Sequence, residues 1–179
     1  MAVSSSARKT QAKPLDRAAL EQMALNYVGR YATTRARLAG YLTRKLRERG
    51  WDGPEAPPVA DIVGRMAALG YVDDRAFAEG RALALGRRGY GARRVAEALH
   101  AAGIDADDAS GAREIAADAA WESALAFARR KRLGPFARAR AAEAERQRAL
   151  QAFARAGHPF EIARILVSSP PGEVPDAPN

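Results

Sequence analysis

Gly70-Tyr71-Val72-Asp73-Asp74-Arg75-Ala76-Phe77-Ala78 sets a helix stop and a helix start almost back to back. A helical pattern ends at Gly70, an apolar pair follows, and a new helix begins at Asp73. Glycine suits the left-handed position that closes a helix. Aspartate suits the N-cap, where its carboxylate accepts from the orphan N–H groups of the next first turn. So tight a join holds two helices at a fixed angle, as a corner in an all-α chain.

The corner recurs. Arg47-Glu48-Arg49-Gly50-Trp51, Ala101-Ala102-Gly103-Ile104 and Arg155-Ala156-Gly157-His158 each end a helical stretch in glycine. The three glycines are 53 and 54 residues apart (103−50 and 157−103). Four residues before each stand Leu46, Leu99 and Phe153, and eight before stand Leu42, Val95 and Ala149. Many unrelated helices end in glycine, but a matched spacing with matched apolar positions marks stacked repeats that share a core. The expected architecture is therefore all-α: three tandem three-helix repeats in an elongated, curved body.

At 179 residues the chain is one domain by length, or a few small stacked units. Its apolar fraction is rich in alanine, with five Phe, five Tyr and two Trp, which favours helix over strand. Without cysteine, disulfides and thiolate metal sites are excluded. No apolar run is long enough to span a bilayer and no signal-peptide core is present, so a soluble cytoplasmic protein is expected.

The formal net charge is +8 and the pI near 10.4, a balance that favours a polyanionic partner. Liberal use of arginine by a GC-rich genome is the plain alternative. The charge is uneven along the chain. Residues 1–50 hold 11 basic and 3 acidic groups, residues 51–102 balance at 7 and 7, residues 103–122 hold 1 and 6, and residues 123–166 hold 10 and 3. Basic ends around an acidic middle imply more than one contact surface.

Residues 1–17 read as a disordered basic arm. The first repeat (18–70) then has a helix from Ala18 to about Tyr31, and a second carrying Leu38, Tyr41, Leu42 and Leu46 on one face with Arg37, Arg44, Lys45, Arg47 and Arg49 on the other. Its third helix runs from Val59 to Leu69 after the Pro/Gly loop that begins at Trp51. The second repeat (71–119) places Phe77, Arg81 and Leu85 at four-residue steps and ends its first helix in Gly86-Arg87-Arg88-Gly89-Tyr90-Gly91. That turn lacks the Lys-Ser/Thr of a P-loop and follows no strand. It reads as a tight helix–helix turn exposing two arginines. The second helix carries Arg93, Arg94, Val95, Leu99 and His100, and an acidic third helix starts from Asp105. The third repeat (120–167) runs from Trp121 into Arg129-Arg130-Lys131-Arg132, then Ala141 to Ala156, then a helix with Pro159 at its first position. Residues 168–179 hold four of the ten prolines and read as a flexible tail.

Reactive groups are few. His100 and His158 stand alone at helix ends, as caps or surface groups. Asp73-Asp74 and Asp107-Asp108 are adjacent in the chain, which points their side chains about 100° apart in a helix and suits a cap better than a metal pair. No zinc-protease, nucleophile-elbow or Walker signature is present. No catalysis, metal or cofactor is expected.

Three stretches carry a family resemblance: Arg35 to Trp51, Leu69 to Ala78, and Gly89-Tyr90-Gly91-Ala92-Arg93-Arg94-Val95 leading into Leu99 and Gly103-Ile104. With them, residues 20–166 resemble the RecX family, most specifically at the Asp-Asp-x-x-Phe-Ala corner; the third repeat departs furthest, at Ala141 to Glu145. The resemblance implies a bacterial regulator, as an inhibitor, of the RecA recombinase in DNA repair, recombination and the SOS response. It also implies a chain of three-helix repeats in the groove of the RecA–single-stranded-DNA filament, restraining its ATPase, strand-exchange and co-protease activities. Candidate contacts to filament or DNA are Arg37, Arg44, Arg47, Arg87, Arg88, Arg93, Arg94, Arg129, Arg130 and Arg132. Gly50, Gly70, Asp73, Asp74, Phe77, Gly103 and Gly157 are the architectural positions. A monomer with no membrane partner is expected. The other readings are an independent helical DNA-binding protein, resting on charge alone, an α-solenoid scaffold for some other protein and, last, an enzyme.

Overall fold

The computed structural model describes residues 13–178. Among them the chain is all helical, with nine α-helices, one short 3₁₀ turn, no β-strand and a single isolated bridge between Leu15 and Trp51. It forms two compact units, one ending at Asp73 and one beginning at Asp74.

The first unit contains α1 (Arg17–Val28), α2 (Arg35–Arg49) and α3 (Val59–Ala68). Asp16 caps α1 by accepting from the Ala19 N–H at 2.8 Å, and the Thr34 hydroxyl caps α2 by accepting from the Arg37 N–H at 3.2 Å. The helices close on Leu20, Ala24, Leu38, Leu42, Ile62 and Met66, all buried. Arg17 and Arg65 converge on Glu21, at 3.0 and 2.7 Å, tying α1 to α3 and holding the Glu21 carboxyl below its ordinary pKa, chiefly through the hydrogen bond from Arg65.

Two expectations for this unit change. Residues 1–12 of the expected arm lie outside the described residues, but its last part belongs to the fold. Leu15 is fully buried, exchanges backbone bonds with Gly50 and Asp52 at 3.0 and 2.8 Å, and is followed directly by the α1 cap. An apolar residue between Pro14 and Asp16 is too little pattern to read as structure. The first helix also stops at Val28, short of Tyr31, which is 58% exposed.

The second unit contains α4 (Asp74–Arg87), α5 (Ala92–His100), α6 (Ser110–Asp118), α7 (Ala120–Lys131), α8 (Glu143–Ala156) and α9 (Phe160–Ser168). One core cluster is built on α4–α6 around Leu85, Val95 and Leu99, the other on α7–α9 around Phe127, Phe153 and Leu166. Tyr90 packs against both. The acidic run begins too early to be α6: Asp105 to Asp108 form a turn, where the Asp105 carboxylate accepts from the Asp108 N–H at 2.9 Å. Pro159 precedes α9 rather than opening it.

The expected repeat register is visible at the ends of α2, α5 and α8. Gly50, Gly103 and Gly157 all have positive φ, and Leu42, Val95 and Ala149 are all buried. At α3 the Tyr71 N–H bonds back to Met66 O and the Gly70 N–H to Ala67 O, both 2.9 Å, which is the paired closure expected of a glycine-ended helix. Asp73 directly precedes α4, Asp74 is its buried first residue, and Phe77 packs half-buried on the α4–α6 core.

The chain after α9 is less loose than a proline-rich tail suggests. The Ser169 hydroxyl donates to Ile165 O at 2.8 Å, and the Gly172 N–H donates to Pro135 O at 2.9 Å.

Candidate nucleic-acid and filament interface

The end of α4 and the turn after it carry Arg87 and Arg88 and lead into Arg93 and Arg94. Gly89 and Gly91 bracket Tyr90, and both lie flush against other backbone. A Cβ on Gly89 would stand 2.7 Å from Phe127 N, and one on Gly91 would stand 2.3 Å from Gly157 O. Side chains at these positions would hold the strands of backbone apart. Without them, the Gly91 N–H donates to Ala156 O at 2.9 Å and the Arg93 N–H to Gly157 O at 3.3 Å. The turn expected only to join two helices is therefore also the seam where α4–α5 lock onto α7–α8.

His158 sits inside that seam. It is buried, 7% exposed, with Nε2 3.1 Å from Gly89 O and its ring 5.4 Å from the rings of both Phe127 and Phe153. Nδ1 is buried without a hydrogen-bond partner. Burial pushes the imidazole pKa below its ordinary 6.5, against the Gly89 carbonyl bond, which raises it; nearby Arg130 pushes further down. The expectation of a cap or surface histidine is replaced by a neutral core ring. His100 is exposed.

Docking brings distant arginines together. The guanidinium carbons of Arg88 and Arg130 lie 5.7 and 5.6 Å from the centre of the Tyr90 ring, and Arg130 donates to Arg88 O. Arg129 stands 5.0 Å over Phe136. Arg87 borders an apolar groove of about 190 Å³ between α4, α6 and α7, lined by Leu83 and Ile115 among others. Arg93 donates to Ala154 O, one of the last carbonyls of α8, so its side chain serves the seam as well as the surface. Arg94 is paired with Glu97 at 3.0 Å. Arg132 is exposed and left-handed (φ 54°) where the other closed helix ends have glycine.

In the first unit Arg37, Arg44 and Arg47 are all exposed. Arg44 lies 5.6 Å over the Tyr41 ring and 3.8 Å from Glu48. Helical periodicity marks the arginines but not the rings beneath them. Tyrosines two or three residues from an arginine, as in Arg88-Gly89-Tyr90 and Tyr41-Leu42-Thr43-Arg44, are the signal available in the chain.

Among the described residues no group of three or more His, Asp or Glu side chains is placed to hold a metal ion, and no helix is long and apolar enough to cross a membrane. No protein-family model matches the chain. The regulatory protein RecX of Myxococcus xanthus is 35% identical over 163 residues, covering 85% of this chain and 86% of that one.

This chain belongs to the RecX family.

A RecX of Mycobacterium sp. strain JLS is 38% identical over 89 residues, 48% of this chain and 45% of its own. Two solved RecX structures share the fold. The one from Lactobacillus salivarius has a TM-score of 0.61 at 17% identity, over 84% of this chain and 93% of its own. The other has a TM-score of 0.59 at 20% identity, over 84% and 70%. The curated relatives are named as regulatory proteins; in the second unit of this chain the glycine seam brings Arg88 and Arg130 to the same tyrosine.

Proposed function

We propose that this RecX-family regulator inhibits the RecA recombinase by binding the RecA–single-stranded-DNA filament as a cytoplasmic monomer without enzymatic activity of its own. It thereby restrains ATP hydrolysis, strand exchange and co-protease activity in DNA repair, recombination and the SOS response. Single-stranded DNA is met directly or through the filament. The observation carrying this reading, beside family membership, is the gathering of Arg88 and Arg130 on one tyrosine, next to Arg87 and Arg129. A filament offers phosphate and acidic protein surface together, and planar guanidinium groups suit both. On this reading the exposed arginines of both units position the regulator electrostatically and the glycine corners hold their spacing.

The test is titration of the full chain into RecA polymerised on single-stranded DNA from the same organism, following ATP hydrolysis. Inhibition is expected. Inhibition far below one regulator per recombinase means end-capping or propagated disassembly, and inhibition near saturation means occupation of the groove. No effect on hydrolysis together with tight, salt-sensitive binding to bare DNA overturns the proposal in favour of an independent DNA-binding protein, the reading that the net charge of +8 supports.

A further inference from the structure

Three of the five tyrosines fall in one acid-free stretch. From Gln22 through Arg47 there are six basic residues, no acidic residue, and Tyr27, Tyr31 and Tyr41. The fold groups these three rings and stacks two of them. Tyr27 and Tyr41 lie nearly parallel, 19° apart with centres 4.3 Å apart, joining α1 to α2. The Tyr31 N–H donates to Tyr27 O at 3.0 Å, continuing the helical turn beyond Val28. This sets the Tyr31 ring 5.2 Å from Tyr27 and tilted 49° to it, an edge-on neighbour of the stacked pair. Arg44 lies 5.6 Å over Tyr41.

Packing accounts for only part of this arrangement. Tyr27 and Tyr41 are half-buried against the core of the first unit, but Tyr31 is outside that core and 58% exposed. Singly exposed aromatic residues are common. Tyr31 differs because backbone and ring contacts hold it at the exposed edge of an aromatic cluster, in a stretch of chain that carries only basic charge. An exposed ring held at the edge of an aromatic cluster offers a π-face to another planar group, and the basic residues of the same stretch call for a polyanion. Single-stranded nucleic acid combines both properties, since every base has a π-face and every linkage a phosphate. An acidic protein surface supplies the charge but not a run of planar rings.

We propose that Tyr27, Tyr31, Tyr41 and Arg44 form a stacking platform for single-stranded nucleic acid, with Tyr31 receiving a base and Arg44 serving the adjacent backbone. The platform belongs to the first unit and acts without recombinase.

Its test therefore omits recombinase. Binding of the full chain to a fluorescent oligothymidylate and to an abasic strand of equal length and charge is followed by anisotropy at several salt concentrations. The base-bearing strand should bind on the order of tenfold tighter, the scale of one base–aromatic stack. Tyr31→Ala should remove that preference and Tyr31→Phe preserve it, because the face rather than the hydroxyl is used. Arg44→Ala should weaken both strands and lower the salt dependence. Tyr31 lies outside the core, so its removal leaves the fold intact, which circular dichroism checks. Equal binding of the two strands, a preference unchanged in Tyr31→Ala, or displacement of the oligothymidylate from this patch alone by an acidic peptide overturns the proposal. Each of these results leaves the filament reading standing, and failure of filament inhibition leaves the platform standing.

Discussion

A series of glycine substitutions tests whether the second unit is held by its glycine seam. Gly91 has φ −80°, which alanine adopts freely, so the cost of Gly91→Ala is steric alone. The new Cβ would sit 2.3 Å from Gly157 O, where an ordinary contact needs about 3.5 Å, so the two segments must separate by roughly 1 Å. Separation weakens the bonds from Gly91 N–H to Ala156 O and Arg93 N–H to Gly157 O, each worth about 1 kcal/mol net. With overpacking of about 1–3 kcal/mol, the expected loss is about 2–4 kcal/mol. Gly70 gives the opposite case: φ is +75° and no atom lies within 4 Å of an added Cβ, so Gly70→Ala reports backbone strain alone, about 1 kcal/mol. Gly157 combines both penalties, with φ +89° and a Cβ 2.4 Å from Arg94 N. Gly80, inside α4 with open space around it, supplies the sign control: Gly80→Ala should stabilise by about 0.5–1 kcal/mol. Gly91 and Gly157 face each other, so their double substitution should cost less than the sum. Urea unfolding followed by circular dichroism measures all five variants. Gly91→Ala as stable as the parent, or no worse than Gly70→Ala, refutes the seam.

The buried imidazole makes stability depend on pH. His158 has a folded-state pKa below 6.5, so its contribution is complete above 6.5 and is lost as pH falls through the folded value, while the unfolded chain takes up the proton first. Stability should therefore fall between pH 7 and 5, by at most about 1.4 kcal/mol per pH unit, and the melting temperature with it. His158→Gln should flatten that part of the profile; an unchanged slope removes His158 as its source. In the arginine cluster, Arg88→Ala should weaken filament inhibition with little change in melting. Arg130→Ala should lower both, because it also removes the bond to Arg88 O and the cation over Phe127. On bare single-stranded DNA each substitution should reduce the log–log salt slope by about 0.7 if that arginine meets phosphate, which titration at several salt concentrations reads directly.

What could be read from the chain was local. A glycine four residues after a leucine or phenylalanine announces a helix end because the left-handed closure is chemistry of neighbouring residues. Gly103 and Gly157 accordingly close their helices with matching back-bonds, Ile104 N–H to Leu99 O and His158 N–H to Phe153 O, while Gly50 ends α2 at positive φ but with extended ψ. The partner of Gly91 is 66 residues away (157−91), and nothing near Gly91 distinguishes a turn glycine from one whose missing Cβ admits another backbone. The same distance hid His158, a lone polar residue at a helix end until Gly89, Phe127 and Phe153 surround it. Exposed arginines were legible from helical periodicity. That two of them share Tyr90 was not, because Arg88 and Arg130 are brought together only by docking.

That convergence has an energetic consequence. Two guanidinium groups are fixed against one ring, and Arg130 is further anchored by donating to Arg88 O. A polyanion laid across them meets cations that folding has already positioned, so little side-chain ordering remains to be done on binding. Binding of that kind stabilises the folded unit by mass action, and the stabilisation weakens as salt screens the attraction. The seam that concentrates the charge and the ligand that neutralises it are thus thermodynamically linked. A variant that loosens Gly91 against Gly157 loses part of its anion affinity without losing an arginine, and that loss separates charge held in a defined geometry from charge that is merely present.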